Sequence, residues 1–257
     1  MRRSLAAVPV ALLLVAGCGG SGKPATSTLK SDFGAQLRAS VSKADSTSSK
    51  LDLTIATKAG GTDVTINGTG AFDGSVGSMV LTVAGQTIEE RLTGGNLYMK
   101  VPGQTKWYVL KLSDLVGTSL ADSASPADSA KVLLAADNNV TKVGEEKVRG
   151  ADTTHYRGSI PLDDKHLAKI GGFAKAAMQK VIASGVTSLP FDAWLDAQGR
   201  LVKMTEALDV TVKGTTAHVT TTLERYDFGT KVVVVAPPAS EQQDSSAFLS
   251  ALKGATG

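Results

Sequence analysis

The sequence is poor in the residues that usually stabilise small exported proteins or carry chemistry. It has one cysteine, Cys18, so no intramolecular disulfide and no thiolate metal site can form, and stability must come from the core. Aromatic residues make up 5% of the chain, so its apolar surfaces are mostly aliphatic. The apolar run from Leu5 to Ala16 is shorter than the about 20 residues that a membrane span requires.

Catalytic and nucleotide-binding patterns are also missing. The three histidines, His155, His166 and His218, fall in separate predicted elements, without the i, i+4 spacing of a helical metal site. The sequence has neither a G-x-S-x-G elbow nor a phosphate-binding loop. We therefore expect no enzyme, metal or cofactor, and structural or solvated roles for the histidines.

The segment before Cys18 has the features of an export signal, with Arg2 and Arg3 followed by the apolar run. The sequence Val15-Ala16-Gly17-Cys18 resembles the lipobox of bacterial lipoproteins. This resemblance implies that residues 1–17 are a signal peptide and that the Cys18 sulfur receives a diacylglyceryl group. The alternative is an ordinary signal peptide followed by a free thiol.

Residues 18–28 are small and polar and cannot bury enough apolar surface to fold. They predict a flexible tether, whose ten residues after Cys18 would span roughly 17 Å. Cleavage would remove Arg2 and Arg3, reducing 27 basic residues to 25 against 24 acidic ones. This near-neutral balance gives no reason to expect nucleic-acid binding. We expect a monomer anchored by lipid on the extracytoplasmic face of the cell membrane.

The folded part is predicted to span residues 29–240 and to be rich in antiparallel strands. After a first amphipathic helix with Leu29, Phe33 and Leu37, apolar residues alternate with polar ones in six short strands from Lys50 to Leu112. Two more strands flank Arg149-Gly150, and three lie between residues 188 and 228. Glutamates 89–90 and 145–146 are interpreted as solvated sheet edges.

Four further helical segments are predicted. Two short ones follow the sixth strand, the second opening at Ser125-Pro126. A longer helix spans about Asp163 to Ala183 and contains Gly171-Gly172, which indicates either close packing on the sheet or a hinge. Residues 241–257 form a tail with a short helix. The predicted fold class is α+β, with one curved antiparallel sheet of eleven strands covered by helices.

Three segments resemble the LppX/LprAFG family of actinobacterial lipoproteins, which is related in fold to the LolA and LolB carriers. They are NLYMKVPGQTKWYVLKL (96–112), LPFDAWLDAQGRLVKM (189–204) and YDFGTKVVVVAPPAS (226–240). The resemblance implies a half-open β-barrel of about eleven strands whose concave face is closed by helices. It also implies an apolar cavity that binds an acylated lipid or glycolipid and carries or presents it in the cell envelope.

Residues in phase on the predicted sheet and helices form the expected cavity lining. They are the strand residues Leu51, Leu53, Ile55, Leu81, Val83, Phe191, Leu195, Val210, Val219 and Leu223 and the helix residues Phe33, Leu37, Ile170 and Val181. An alternative hypothesis is a surface adhesin or scaffold with a filled core and no ligand. A hydrolase is a third hypothesis.

Overall fold

The structure is a computed structural model that describes residues 32–115 and 130–248, apart from residues 138, 171, 213 and 247. The predicted signal peptide, Cys18 and the tether lie outside the described residues. So do Leu29, the segment opening at Ser125-Pro126 and most of the predicted C-terminal helix. Within the described residues no helix is long and apolar enough to cross a membrane.

The described chain consists of short helices and one large, mostly antiparallel sheet. Strands β1 to β6 are Ser49–Ala59, Thr62–Asp73, Val76–Val83, Gln86–Thr93, Asn96–Lys100 and Trp107–Lys111. Strands β7 to β12 are Thr141–Val148, Ala151–Pro161, Ser188–Asp196, Leu201–Val212, Thr215–Tyr226 and Gln242–Gln243. The helices are α1 (Phe33–Asp45), α2 (Leu112–Leu115), α3 (Asp164–Leu167) and α4 (Gly172–Ala183), with 3₁₀ turns at Ala130–Ala135 and Ala239–Glu241.

The predicted fold class is confirmed. The twelve strands form one sheet that does not close, in the order β12-β6-β5-β4-β3-β2-β1-β11-β10-β9-β8-β7. Ladders β1 to β11 are antiparallel and occupy the predicted places, because tight turns follow the alternating runs. Gly94 and Gly95, for example, both adopt positive φ between β4 and β5. The two-residue β12, which pairs parallel to β6, was not predicted.

The long predicted helix from Asp163 to Ala183 is wrong as a single element. The Asp163 side chain accepts a hydrogen bond from the His166 backbone N–H and caps α3, which ends at Leu167. Helix α4 then begins at Gly172. Gly172 therefore begins a helix instead of lying inside one, and Gly171 is outside the described residues.

One face of the sheet, here called the inner face, carries Leu51, Leu53 and Ile55 of β1 and packs against helices on part of its area. The register places Leu223 of β11 opposite Leu53, and Ile66 of β2 opposite Ile55. Residues directly opposite each other in a ladder share a face, so this row extends across the sheet. The opposite side is called the outer face.

Glycines in the strands make room for aromatic rings on the inner face. A Cβ added to Gly77 of β3 would lie 2.0 Å from Cδ1 of Phe72, and one added to Gly158 of β8 would lie 2.7 Å from Cζ of Phe191. Both phenylalanines are buried. The rings lie where these two neighbouring residues have no side chains, which is why the strands contain glycine there.

The expected position of the first glutamate pair is wrong. Strand β4 lies between β3 and β5, so Glu89 and Glu90 are not at a sheet edge. Glu90 lies opposite Met79 and Met99 on the inner face and is 4% exposed. The second pair, in β7, does lie on an edge strand.

On the outer face, long-range ion pairs connect the β7–β8 turn to the middle of the sheet. The Arg149 guanidinium contacts Asp52 of β1 and donates to Glu224 of β11 at 2.9 Å. It also lies 4.0 Å from the centre of the Tyr226 ring. Because β9 and β10 lie between these strands in the sheet order, the contact requires a strongly coiled sheet.

Candidate functional site

The ten predicted strand residues of the lining all lie on the inner face. The ladders place Leu81 with Leu53 through Gly68, and Val83 with Ile55 through Ile66. On the other side of β1, Val219 lies opposite Thr57. Ile55 lies opposite Thr221, Thr221 opposite Glu206, and Glu206 opposite Phe191, so Phe191 is on the same face as Ile55. The alternation in the sequence was sufficient to assign these residues to one face.

The helix residues and the last strands form one half of this face. In it Leu37 and Ile170 are buried, and Phe33 and Val181 pack partly buried against the same cluster. Phe191 and Leu195 of β9 are buried there as well. The Phe33 ring lies 5.3 Å from that of Tyr156. The 3₁₀ turn Ala130–Ala135 and helices α1, α3 and α4 fill this half with side chains.

The other half of the inner face is built from β1 to β4 and β11. Leu51, Leu53, Leu81 and Leu223 are buried in it, and Ile55 packs beside them half-buried. Apart from Leu112 of α2, the described members of this cluster are all strand residues. The structure therefore divides the predicted lining into a helix-packed half and a strand-built half.

Burial on the inner face decreases in one direction along four strands. In β1 it falls from Leu51, at 1% exposed, to the half-buried Ile55, and in β3 from Met79 to Val83. In β11 and β10 the same change ends at the half-buried Val219 and Val210. The register places these ends side by side, near the hairpin turns at residues 60–61, 84–85 and 214. An aliphatic strip is thus partly open to solvent at one end of the sheet.

Charged residues on the inner face were not identified from the sequence as part of this face. Besides Glu90, Glu206 lies opposite Phe191, and Arg225 lies opposite Leu51. Arg225 is 5% exposed and donates from Nε to Ser49 Oγ at 3.0 Å and from Nη2 to the Thr47 carbonyl at 3.1 Å. Glu90, Glu206 and Arg225 are each two residues from an apolar residue of the same strand, namely Ile88, Leu208 and Leu223. This alternation could have assigned them to the inner face from the sequence.

A buried histidine cluster connects α3 to the segment after the 3₁₀ turn. His166 is 5% exposed, with Nδ1 2.6 Å from Asp163 and Nε2 2.6 Å from Asp137. These carboxylates raise the pKa of His166, Asp137 first, although burial opposes the shift. Hydrogen bonds from Lys169 and His166 lower the pKa of Asp137 well below its usual range.

A cavity of about 800 Å³ lies beside the histidine cluster and shares no residue with the predicted lining. It is lined by Arg38, Leu134, Asp137, Asn139 and Lys169. Its cations already have partners, since Lys169 binds Asp137 and Arg38 donates to the Ala136 carbonyl. Among residues 32–115 and 130–248, apart from the four excepted positions, no group of three or more His, Cys, Asp or Glu could hold a metal ion.

Comparisons with known proteins give distant relatives. No protein-family model matches the sequence. The chain is 32% identical over 137 residues to an uncharacterised 31.2 kDa protein from the rplA-rplJ intergenic region of Streptomyces griseus. That match covers 49% of this chain and 41% of the relative, so the chain spans less than half of that relative's length.

A second relative and a solved structure are lipoproteins by name. The chain is 26% identical over 220 residues to a Streptomyces coelicolor protein whose name describes it as a candidate lipoprotein, covering 74% of this chain and 67% of the relative. The crystal structure of Mycobacterium tuberculosis lipoprotein LppX aligns with 79% of this chain and 98% of LppX, at a TM-score of 0.45 and 14% identity. The chain is thus similar to one relative and to one solved structure that are both named as lipoproteins.

Proposed function

We propose that this protein is a membrane-tethered lipoprotein that binds an acylated lipid on the strand-built half of its inner face and carries or presents it in the cell envelope. The observation that supports this most is the aliphatic strip formed by Ile55, Ile66, Val83 and Val219, which is half-buried rather than packed or polar. Such a strip can remove acyl methylenes from water without requiring a specific head group.

The energetics favour a carrier of this kind. Burial of hydrocarbon is worth about 0.8 kcal/mol per methylene, so moving a chain of about fourteen methylenes through water costs on the order of 11 kcal/mol. A surface of isoleucine, leucine and valine lowers that cost along the path. The proposed role is therefore binding, not catalysis.

The proposal includes a lipid anchor at Cys18, with residues 1–17 removed and residues 18–28 as the tether. It is supported by the lipobox-like sequence and by the relative named as a lipoprotein. Because one acyl chain gives only marginal membrane binding, the diacylglyceryl group is the relevant anchor. Replacing Cys18 by serine should move the protein from the membrane fraction to the soluble fraction and remove the lipid mass from its N-terminal peptide.

A matched pair of variants in β3 tests the binding face. Val83 lies half-buried on the inner face, whereas Val80 is 45% exposed on the outer face of the same strand. A carboxylate at residue 83 would have to be desolvated against the acyl chain, and one at residue 80 would not. In the Cys18→Ser background, Val83→Glu should weaken binding of a fluorescent 16-carbon fatty acid by about tenfold or more, and Val80→Glu by less than about twofold.

The controls separate binding from folding and from the other hypotheses. Both variants are checked by thermal unfolding, so that lost affinity is not mistaken for an unfolded sheet. Equal affinities for Val83→Glu and Val80→Glu would reject the inner face as the site. No uptake by the parent protein would favour the scaffold hypothesis, and turnover of ester substrates would favour the hydrolase.

A further inference from the structure

The sheet divides in two between β9 and β10. These strands pair as far as Phe191 and Glu206. Beyond that point Ser188, Leu189 and Pro190 pair only with β8, whereas Ala207–Val212 pairs only with β11. The two halves of the sheet separate there, and we call the opening between residues 184–190 and 207–211 the fork.

The sequence gives a physical reason for the division. The last residue of β9 that pairs with β10 is Phe191, and the next residue toward the start of β9 is Pro190. Proline has no N–H to donate to a ladder. The chain also enters β9 from a turn after α4, in which Gly185 has a φ of +91°. A proline in the interior of a twelve-stranded sheet is tolerated because the neighbouring strand is no longer paired there.

A cavity of about 390 Å³ occupies the fork. One side is formed by residues 184–188 and Pro190, and the other by Ala207, Leu208, Asp209, Thr211 and His218. Its rim is polar, since Asp209 and His218 are exposed and His218 Nδ1 lies 2.7 Å from an Asp209 carboxylate oxygen. Leu208 and Val186 are its half-buried aliphatic members.

Leu208 connects this cavity to the inner face. It lines the fork, packs against the helix-packed cluster, and lies opposite Val219 on the half-buried strip. Val186 also packs against that cluster. An aliphatic path therefore leads from the fork, past Leu208, to Val219 and the neighbouring Ile55.

From this continuity we propose that the fork is the route by which an acyl chain enters and leaves the inner face. The inference rests on the proposed lipid-binding function and adds the path by which the acyl chain reaches the binding face. A route affects rates and not equilibrium affinity, because a narrowed passage slows entry and exit equally. This property distinguishes the fork from the binding strip, whose alteration changes the affinity.

The test bridges the fork chemically. In the Cys18→Ser background the chain has no other thiol, so Ser188→Cys and Thr211→Cys, which lie on opposite sides of the cavity, can be joined by a short bis-maleimide. Stopped-flow mixing with the fluorescent 16-carbon fatty acid should show association and dissociation rates reduced about tenfold or more, with the Kd unchanged within about twofold.

The controls are the two single-cysteine variants treated with the same reagent and the unreacted double variant, which should all keep the parent rates. Unchanged rates in the fully bridged protein would overturn the route while leaving lipid binding intact. A reduced affinity at unchanged association rate would show that the fork is part of the binding site instead, and would also overturn the route. Absence of binding by the parent protein would reject the proposed function itself.

A second measurement needs no substitution in the fork, so its result does not depend on whether the double variant folds. A 16-carbon fatty acid carrying a diazirine is mixed with the Cys18→Ser protein and illuminated at successive times. Adducts on residues 184–190 or 207–211 should precede those on Ile55 and Val83. Adducts that reach β1 and β3 first would overturn the route.

Discussion

Replacing Gly77 by alanine tests how the inner face is packed. The new Cβ would lie 2.0 Å from Cδ1 of Phe72 and 2.5 Å from two further ring carbons, whereas packed carbons are about 3.5 to 4.0 Å apart. Phe72 is 5% exposed, so its ring cannot move outward without losing burial. Overpacking costs about 1 to 3 kcal/mol, and removing a strand glycine recovers about 0.5 to 1 kcal/mol. The midpoints of these two ranges give an expected net loss of about 1 kcal/mol in the free energy of unfolding.

Urea denaturation of the Cys18→Ser protein measures this loss, with Gly144→Ala as the matched control. Gly144 is also a strand glycine, and an added Cβ there meets nothing within 4 Å. That control should be neutral or slightly stabilised. In a double-mutant cycle, Gly77→Ala should cost almost nothing once Phe72→Ala has removed the ring. An equal cost in both backgrounds, or no cost in the parent, would refute the reasoning.

Two further predictions concern charged clusters. Because the folded pKa of His166 is raised, its stabilisation is complete below its unfolded pKa of about 6.5 and is lost as pH rises through the folded value. His166→Gln should therefore lower the melting temperature at pH 6 and flatten its decline toward pH 9, and a parallel decline in both proteins would contradict this. Arg149→Ala should destabilise by about 1 kcal/mol or less at low salt, because its side chain is 39% exposed. The difference in free energy of unfolding between Arg149→Ala and the parent should shrink in 1 M NaCl. A loss of stability that does not depend on salt would show that packing of Arg149 on Tyr226 dominates.

The sequence was sufficient to predict the strands and their faces, because both follow from local patterns. Alternation in Leu51, Leu53 and Ile55 needs no knowledge of partners, and the Gly60-Gly61 turn marks where the strand ends. Glu90 was misplaced although Ile88, Glu90 and Leu92 alternate in phase. A charged pair in a strand favours a solvent-exposed edge of a sheet, and only the sheet order shows that β4 is internal.

Long-range features could not be predicted from the sequence in the same way. Three of the carboxylates that contact His155 and His166 come from other elements: Glu146 and Asp192 contact His155, and Asp137 contacts His166. The division of the sheet depends on how far β9 and β10 remain paired, which periodicity does not encode. Pro190 was the one local sign of it.

The central claim is that the strand-built half of the inner face holds an acyl chain. Native mass spectrometry of the Cys18→Ser protein, purified from the soluble fraction of its own organism or loaded with a 16-carbon fatty acid, tests it most directly. We predict a lipid adduct at one-to-one stoichiometry that is retained in Val80→Glu and lost in Val83→Glu. A protein that carries no lipid in either preparation, or an adduct that survives Val83→Glu unchanged, would contradict it.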